Sequence, residues 1–124
     1  MNAINKENLK FCLKINQDLI DGRIKNRPRV CATSAKAGEG RYYSEYSRSP
    51  YSVNYHNALR IAYGCLGSAL CSNALGACAE QHAANIVLQK RKCQINQLVF
   101  SKALETRTTK RIAYCANCKA LFCI

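Results

Sequence analysis

Two short segments carry the residues with the most chemical reach: Cys78-Ala79-Glu80 and, after 34 intervening residues, Cys115-Ala116-Asn117-Cys118. Together they offer three thiols and one carboxylate. Zinc binds thiolate sulfur well, and two cysteines separated by two residues at a helix start can face one ion while backbone amides stabilise their charge. Cys78, from a different helix, completes three protein ligands. A fourth position is then open for water, which distinguishes catalytic zinc from a closed structural site. Glu80 sits two residues past Cys78, in the first helical turn, where it can reach that open position without binding metal. Zinc lowers the pKa of bound water to about 7, and a neighbouring carboxylate can carry the proton onward. Hydrolytic removal of a ring amine needs both steps: hydroxide to attack the carbon, and a carboxyl group to protonate first the ring nitrogen and then the departing amine. The plainer readings are a structural zinc site, or Cys115 and Cys118 as core thiols.

The chain around these residues has 124 positions, one domain's worth, and 48% are apolar. Sixteen are Ala and nine are Cys, with three Phe and no Trp, so the expected core is thin and closely packed. An odd cysteine count and a polar start from Met1 to Asn8 favour reduced thiols or metal ligands over a disulfide-stapled fold with a signal peptide. Cys12, Cys31, Cys65, Cys71, Cys93 and Cys123 read as small buried hydrophobes. Ile61 to Ala79 runs 19 residues without a charge. Its glycines, serines and asparagine dilute the hydrophobicity, so a buried small-residue helix with a turn is expected there rather than a membrane span. The formal charge of +12 points to a polyanionic partner or to a solubility device. Between Tyr46 and Leu104 the only carboxylate is Glu80.

The elements that must position these groups follow from pattern. Residues 1–24 read as a helix on the stripe Leu9, Cys12, Leu13 and Ile20, ending near Gly22. Residues 29–47 read as a hairpin, strand Arg29 to Ala35 and Tyr-rich strand Arg41 to Ser47, after a break at Asn26-Arg27-Pro28. Residues 57–92 read as two helices, the first capped by Asn57 and the second carrying the Cys-Ala-Glu motif. A strand over 97–103, a polar connection from Glu105 to Arg111 and a helix over 115–124 complete the chain.

At this point the residues resemble a family. Cys78-Ala79-Glu80 followed by Cys115-x-x-Cys118 is similar to the signature of zinc-dependent nucleoside and nucleic-acid deaminases, H/C-x-E then P-C-x-x-C. Tyr114 stands where that family usually has proline. Gly76 to Asn85 resembles the ligand helix of the cytidine-deaminase-like fold, and more narrowly that of deaminase domains at the C-terminal ends of polymorphic bacterial toxins. The resemblance covers roughly residues 5–124 and implies an α/β, three-layer fold with a short central sheet, apparently without the usual C-terminal strands. It further implies Zn2+ held by Cys78, Cys115 and Cys118, with Glu80 as the catalytic acid and base.

The expected reaction is deamination of cytosine to uracil in nucleic acid, DNA before RNA, by a monomeric toxin domain delivered into a target cell's cytoplasm. Alternatives are a free-cytidine deaminase and a non-catalytic, zinc-stabilised nucleic-acid-binding module. An acidic immunity protein is the expected neutralising partner. Tyr42, Tyr43, Tyr46, Tyr51 and Tyr55, interleaved with Arg41 and Arg48, suit unstacked bases and phosphates, or else cross-strand packing. Ser47 to Asn57 is the expected substrate loop, with Asn54 or Asn57 at the sugar, His56 at the substrate or merely on the surface, and Tyr114 at the pocket wall. Lys90, Arg91, Lys110 and Arg111 are expected along the backbone path, or as an ordinary solvated helix end and loop. His82, two positions past Glu80, reads as a packing residue.

Overall fold

In the computed structural model, which describes residues 2–26, 31–51 and 53–124, the first helix α1 spans Ala3–Ile20. Its cap is Asn2, whose side chain accepts from the Asn5 amide at 2.9 Å. The buried stripe is Ile4, Asn8, Cys12 and Ile15. Leu13 and Ile20, expected on that stripe, face outward at 54% and 78% exposure. A polar residue takes the inner face because Asn8 finds hydrogen-bond partners there: its Nδ2 donates to the Lys102 carbonyl at 3.1 Å.

The hairpin forms from β1, Cys31–Ala37, and β2, Tyr43–Tyr46, with Ala32 opposite Tyr46 and Ala35 opposite Tyr43. The expected strand start at Arg29 and Val30, and the break at Arg27-Pro28, lie outside the described residues. Helix α2, Asn57–Leu66, is capped by His56 rather than Asn57, with His56 Nδ1 accepting from the Ala58 amide at 3.0 Å. Gly67, at φ 83°, ends it. The uncharged stretch Ile61 to Ala79 breaks after a helix, as expected, but most of it is not buried. After Leu66 it becomes a loop, and Ile61 and Leu70 are 68% and 53% exposed. Among the described residues, no helix is long and apolar enough to cross a membrane.

Helix α3, Ala79–Lys90, lies across β1. Ala83 and Val87 pack on Ala35 and Ala37, and small side chains on both partners let helix and strand approach closely. A short 3-10 turn then leads to β3, Leu98–Phe100, and β4, Ala103–Glu105. The strand expected over 97–103 is thus divided. Pairing against β1 shifts by one residue between Ala35 opposite Phe100 and Ala32 opposite Leu104, so Ser101-Lys102 forms a bulge. The Ser34 amide donates to Ser101 Oγ at 2.9 Å, and the Lys102 amide donates to Asn5 Oδ1 at 2.8 Å. The expected connection from Glu105 to Arg111 is a turn over 106–110, in which Thr109 has φ 60°, and its two ends belong to the antiparallel pair β4 and β5, Arg111–Ile112. Helix α4, Ala116–Phe122, ends the described chain.

The architecture is α/β, with sheet order β2-β1-β4-β5 and β3 also on β1. One face packs on α1 through Cys12, Ile15 and Leu104. The other carries α3, with α2 and α4 beside it around Leu59, Ala84, Leu88, Cys118 and Phe122. The small core matches the Ala-rich composition. Two of the cysteines expected to be buried, Cys65 and Cys123, are exposed, because Cys65 lies on the outer side of α2 and Cys123 caps α4 in a left-handed conformation. Cys71 and Cys93 are half-buried and Cys12 is fully buried, while the side chain of Cys31 lies outside the described residues. Burial pushes the Cys12 thiol up to about 11.

Candidate functional site

Cys78 and Cys115 each occupy the residue just before a helix, α3 and α4, so their sulfurs sit at the positive ends of two helix dipoles. Cys118 follows one turn into α4 and is fully buried. Their sulfurs converge: Cys78 and Cys115 are 3.2 Å apart, Cys115 and Cys118 are 3.6 Å apart, and all three lie within 4.8 Å. Zinc held at about 2.3 Å by tetrahedral thiolates would space them roughly 3.8 Å apart, so the triad needs only a small adjustment to hold the ion. The donor set, three soft sulfurs, also suits that metal.

Glu80 turns into the same cluster. It is 2% exposed, with Oε1 accepting from Thr33 Oγ1 at 3.1 Å and Oε2 lying 3.4 Å from Cys118 Sγ. Burial raises its pKa, while its own backbone amide, Cys118 and Thr33 pull the other way. Among the thiols, hydrogen bonds from Cys118 and then Cys78 hold Cys115 well below the usual thiol range, with Asn73 adding to them. Cys78 and Cys118 are both pushed up, chiefly through their hydrogen bonds with Cys115. A divalent ion removes the competition and lets all three ionise.

Gln81 and Asn117 hold the arrangement, and the sequence reading assigned neither of them a role. Gln81 Nε2 donates to Cys118 Sγ at 3.4 Å, while its Oε1 accepts from Tyr63 Oη at 2.9 Å and from the Gly76 amide at 2.6 Å. Its place three residues after Cys78 puts it on the same helix face, a signal the periodicity contains. Asn117, inside the Cys-x-x-Cys segment, accepts from the Leu70 amide at 2.7 Å and donates to the Asn73 carbonyl at 2.9 Å. It ties the loop after α2 to the cluster. Gly76 is pinned as well: its carbonyl accepts from Tyr55 Oη at 2.6 Å, and at φ 90° a β-carbon would meet that hydroxyl at 2.5 Å.

A cleft of about 820 Å3 opens onto the cluster. Cys78, Glu80 and Cys115 line its floor, Ser47, Arg48 and Ser49 one wall, and Ser72, Asn73 and Ala74 another, with Ile112 and Ala113 adding an apolar side. Cys118 lies behind this lining. The start of the expected substrate loop therefore borders the cleft, whereas its end is tied to α3. The Asn54 carbonyl accepts from Asn85 and Gln89, Asn54 Oδ1 accepts from Arg60, and the His56 amide donates to Asn85. Asn57 is exposed as the first residue of α2; Ser52 lies outside the described residues.

The tyrosines divide by strand face. Tyr43 packs toward Ala83 and Val87, and Tyr46 stacks on Phe11 on the α1 side with ring centroids 6.4 Å apart. Tyr114 donates to the Ser101 carbonyl at 2.6 Å and packs on Ala79 and Ala103. None of the three is in the cleft lining. Of the basic residues named above, Arg48 lines the cleft. Lys90 and Arg91 close α3 about 18 Å from Cys78 along a 12-residue helix, where Arg91 lies over Gly40 in the turn that also holds Arg41. Arg111 lines a smaller groove of about 260 Å3 on the α1 side, next to exposed Lys110. His82 is buried, its Nε2 3.1 Å from the Arg48 carbonyl and its ring 6.2 Å from that of Tyr55. Searches of family models, curated proteins and solved structures find no match to this chain.

Proposed function

We propose that this chain is a zinc-dependent deaminase of the cytidine-deaminase-like superfamily, converting cytosine to uracil in nucleic acid, DNA before RNA. Its proposed setting is the toxin domain of a secreted bacterial effector, acting in the target cell's cytoplasm and neutralised by an acidic immunity protein. One observation carries the reading: a single buried carboxylate, Glu80, held between Thr33 and Cys118, at the floor of an open cleft beside three convergent sulfurs. A hydrolytic zinc site needs a proton carrier facing its cleft, whereas a structural one does not.

Cys78, Cys115 and Cys118 would hold the ion, which when bound supplies Lewis acidity that makes water at the site ionise near neutral pH. Glu80 does the proton work. Its raised pKa suits a group that accepts a proton in one step and returns it in another, first to the ring nitrogen and then to the departing amine. Thr33 fixes the orientation of the carboxylate, and Gln81 holds Cys118. The apolar side at Ile112 and Ala113 offers a surface for a base, and an 820 Å3 cleft has room for one that is flipped out or unpaired. The preference for a polymer rests on the +12 charge.

The test is incubation of zinc-loaded protein with single-stranded DNA, duplex DNA, RNA and free cytidine, scoring uracil or uridine. Conversion of the DNA that is lost in Glu80→Ala, with zinc retained, is expected. Turnover of cytidine alone would replace the polymer by a free nucleoside. Zinc binding without turnover of any substrate would overturn the enzyme and leave a zinc-stabilised binding module.

A further inference from the structure

The wall that Ser47, Arg48 and Ser49 contribute to the cleft is built more firmly than an exposed loop requires. The Arg48 amide donates to the Ala77 carbonyl at 3.0 Å, and its carbonyl meets His82 Nε2 at 3.1 Å, so its main chain is tied on both sides to the segment that carries Cys78 and Glu80. The side chain is also oriented. It pairs with Glu45, and its guanidinium carbon lies 5.6 Å from the centre of the Tyr46 ring. Despite those contacts 39% of the side chain remains exposed, and among the described residues Arg48 is the only cation in the cleft lining. Among the described residues the carboxylate of that lining is Glu80, which sits on the floor with one hydrogen bond to each oxygen, from Thr33 and Cys118.

Resting on the deaminase reading, the geometry points to Arg48 as the phosphate subsite of the cleft, so that the substrate is a phosphorylated nucleotide unit rather than a bare nucleoside. A guanidinium has five donors in a planar fork that matches a phosphate's oxygens, and one carboxylate partner does not exhaust them. Glu45 keeps the fork oriented until a phosphate arrives. Ser49 Oγ accepts from the Tyr51 amide at 3.2 Å, which leaves its own proton to donate on the same wall. The apolar side at Ile112 and Ala113 meets the base, and Arg48 meets the phosphate.

The test compares wild type, Arg48→Gln and Arg48→Lys, all zinc-loaded, on cytidine, deoxycytidine monophosphate and a short single-stranded DNA containing one cytosine. Arg48→Gln is expected to lower kcat/KM on the two phosphorylated substrates at least about 10-fold more than on cytidine, with partial recovery in Arg48→Lys. A loss confined to the oligonucleotide assigns the subsite to a phosphodiester, and a loss shared with the monophosphate assigns it to a terminal phosphate. Equal loss on all three substrates, or none, overturns the subsite. Binding of the labelled oligonucleotide to Glu80→Gln protein provides a readout without catalysis, in which Arg48→Gln is expected to weaken affinity about 10-fold and reduce the salt slope by about one. If no substrate is deaminated, an unchanged affinity overturns the subsite too, whereas a weakened one leaves it standing while the deaminase reading falls.

Discussion

The two faces of β1 both bury polar side chains, yet they do so in different ways. On the α1 face the groups are neutral and satisfy one another: Ser34 Oγ lies 2.5 Å from Ser44 Oγ and 3.4 Å from Asn8 Oδ1, and Asn8 donates to Lys102. On the α3 face the groups are ionisable. Thr33 meets Glu80, and Glu80 meets Cys118 within a knot of three thiols whose pKa values are driven apart. A neutral network closes on itself and needs nothing further. An ionisable cluster is different, because its three sulfurs lie close enough together that they could hold a metal ion.

The comparison breaks first at Glu80. If the chain is the proposed deaminase, Glu80→Gln keeps the shape and removes the proposed proton carrier, so deamination of single-stranded DNA is expected to fall on the order of a hundred- to ten-thousand-fold with zinc content unchanged. Uracil release and metal analysis check it. Cys118→Ser is next: zinc affinity is expected to drop by more than about 100-fold, read by chelator competition, and the added zinc should no longer raise the melting temperature. On the other face, Asn8→Ala leaves the Lys102 carbonyl and Ser34 short of a partner. It should cost about 1–3 kcal/mol in urea unfolding while zinc binding stays as in wild type. A loss of zinc in that variant would mean that the two faces are not independent.

The smallest expected effect is a pH dependence at His82. Burial, first among the causes, lowers its pKa from the ordinary 6.5. The unfolded chain therefore binds the proton more readily than the folded one in the window from 6.5 down to the lowered value, and stability falls as pH drops through it. Wild type should lose more stability than His82→Gln between about pH 7.5 and 5, measured by urea midpoints. Equal losses in the two proteins would show that His82 does not titrate across that window.

The cysteine cluster was more legible in the chain than the scaffold around it. Cys115 and Cys118 are one helical turn apart, and Cys78 and Glu80 share the start of another helix, so local spacing alone marks both groups. The bulge at Ser101-Lys102 has no such mark. It exists because Asn5, Asn8 and the Ser34 carbonyl, all distant in sequence, supply partners for its backbone. The same long-range demand turned the helix stripe toward Asn8 and left Leu13 outside. Cys65 and Cys123 show the reverse limit: residue type favours burial, and position on a helix overruled it.

What the residues determined by themselves is therefore the thiols and carboxylate of the cluster, their helix-start positions and the excess of positive charge. The tertiary structure decided that three sulfurs meet within 4.8 Å, that Thr33 reaches Glu80 across 47 positions of sequence, and that Arg48 faces the cleft while Lys90 and Arg91 close the far end of α3. The reason is physical. Spacing within one helix fixes which side chains share a face, but bringing two helices and a strand to one point depends on the packing of the sheet between them, and that packing is a property of the whole chain.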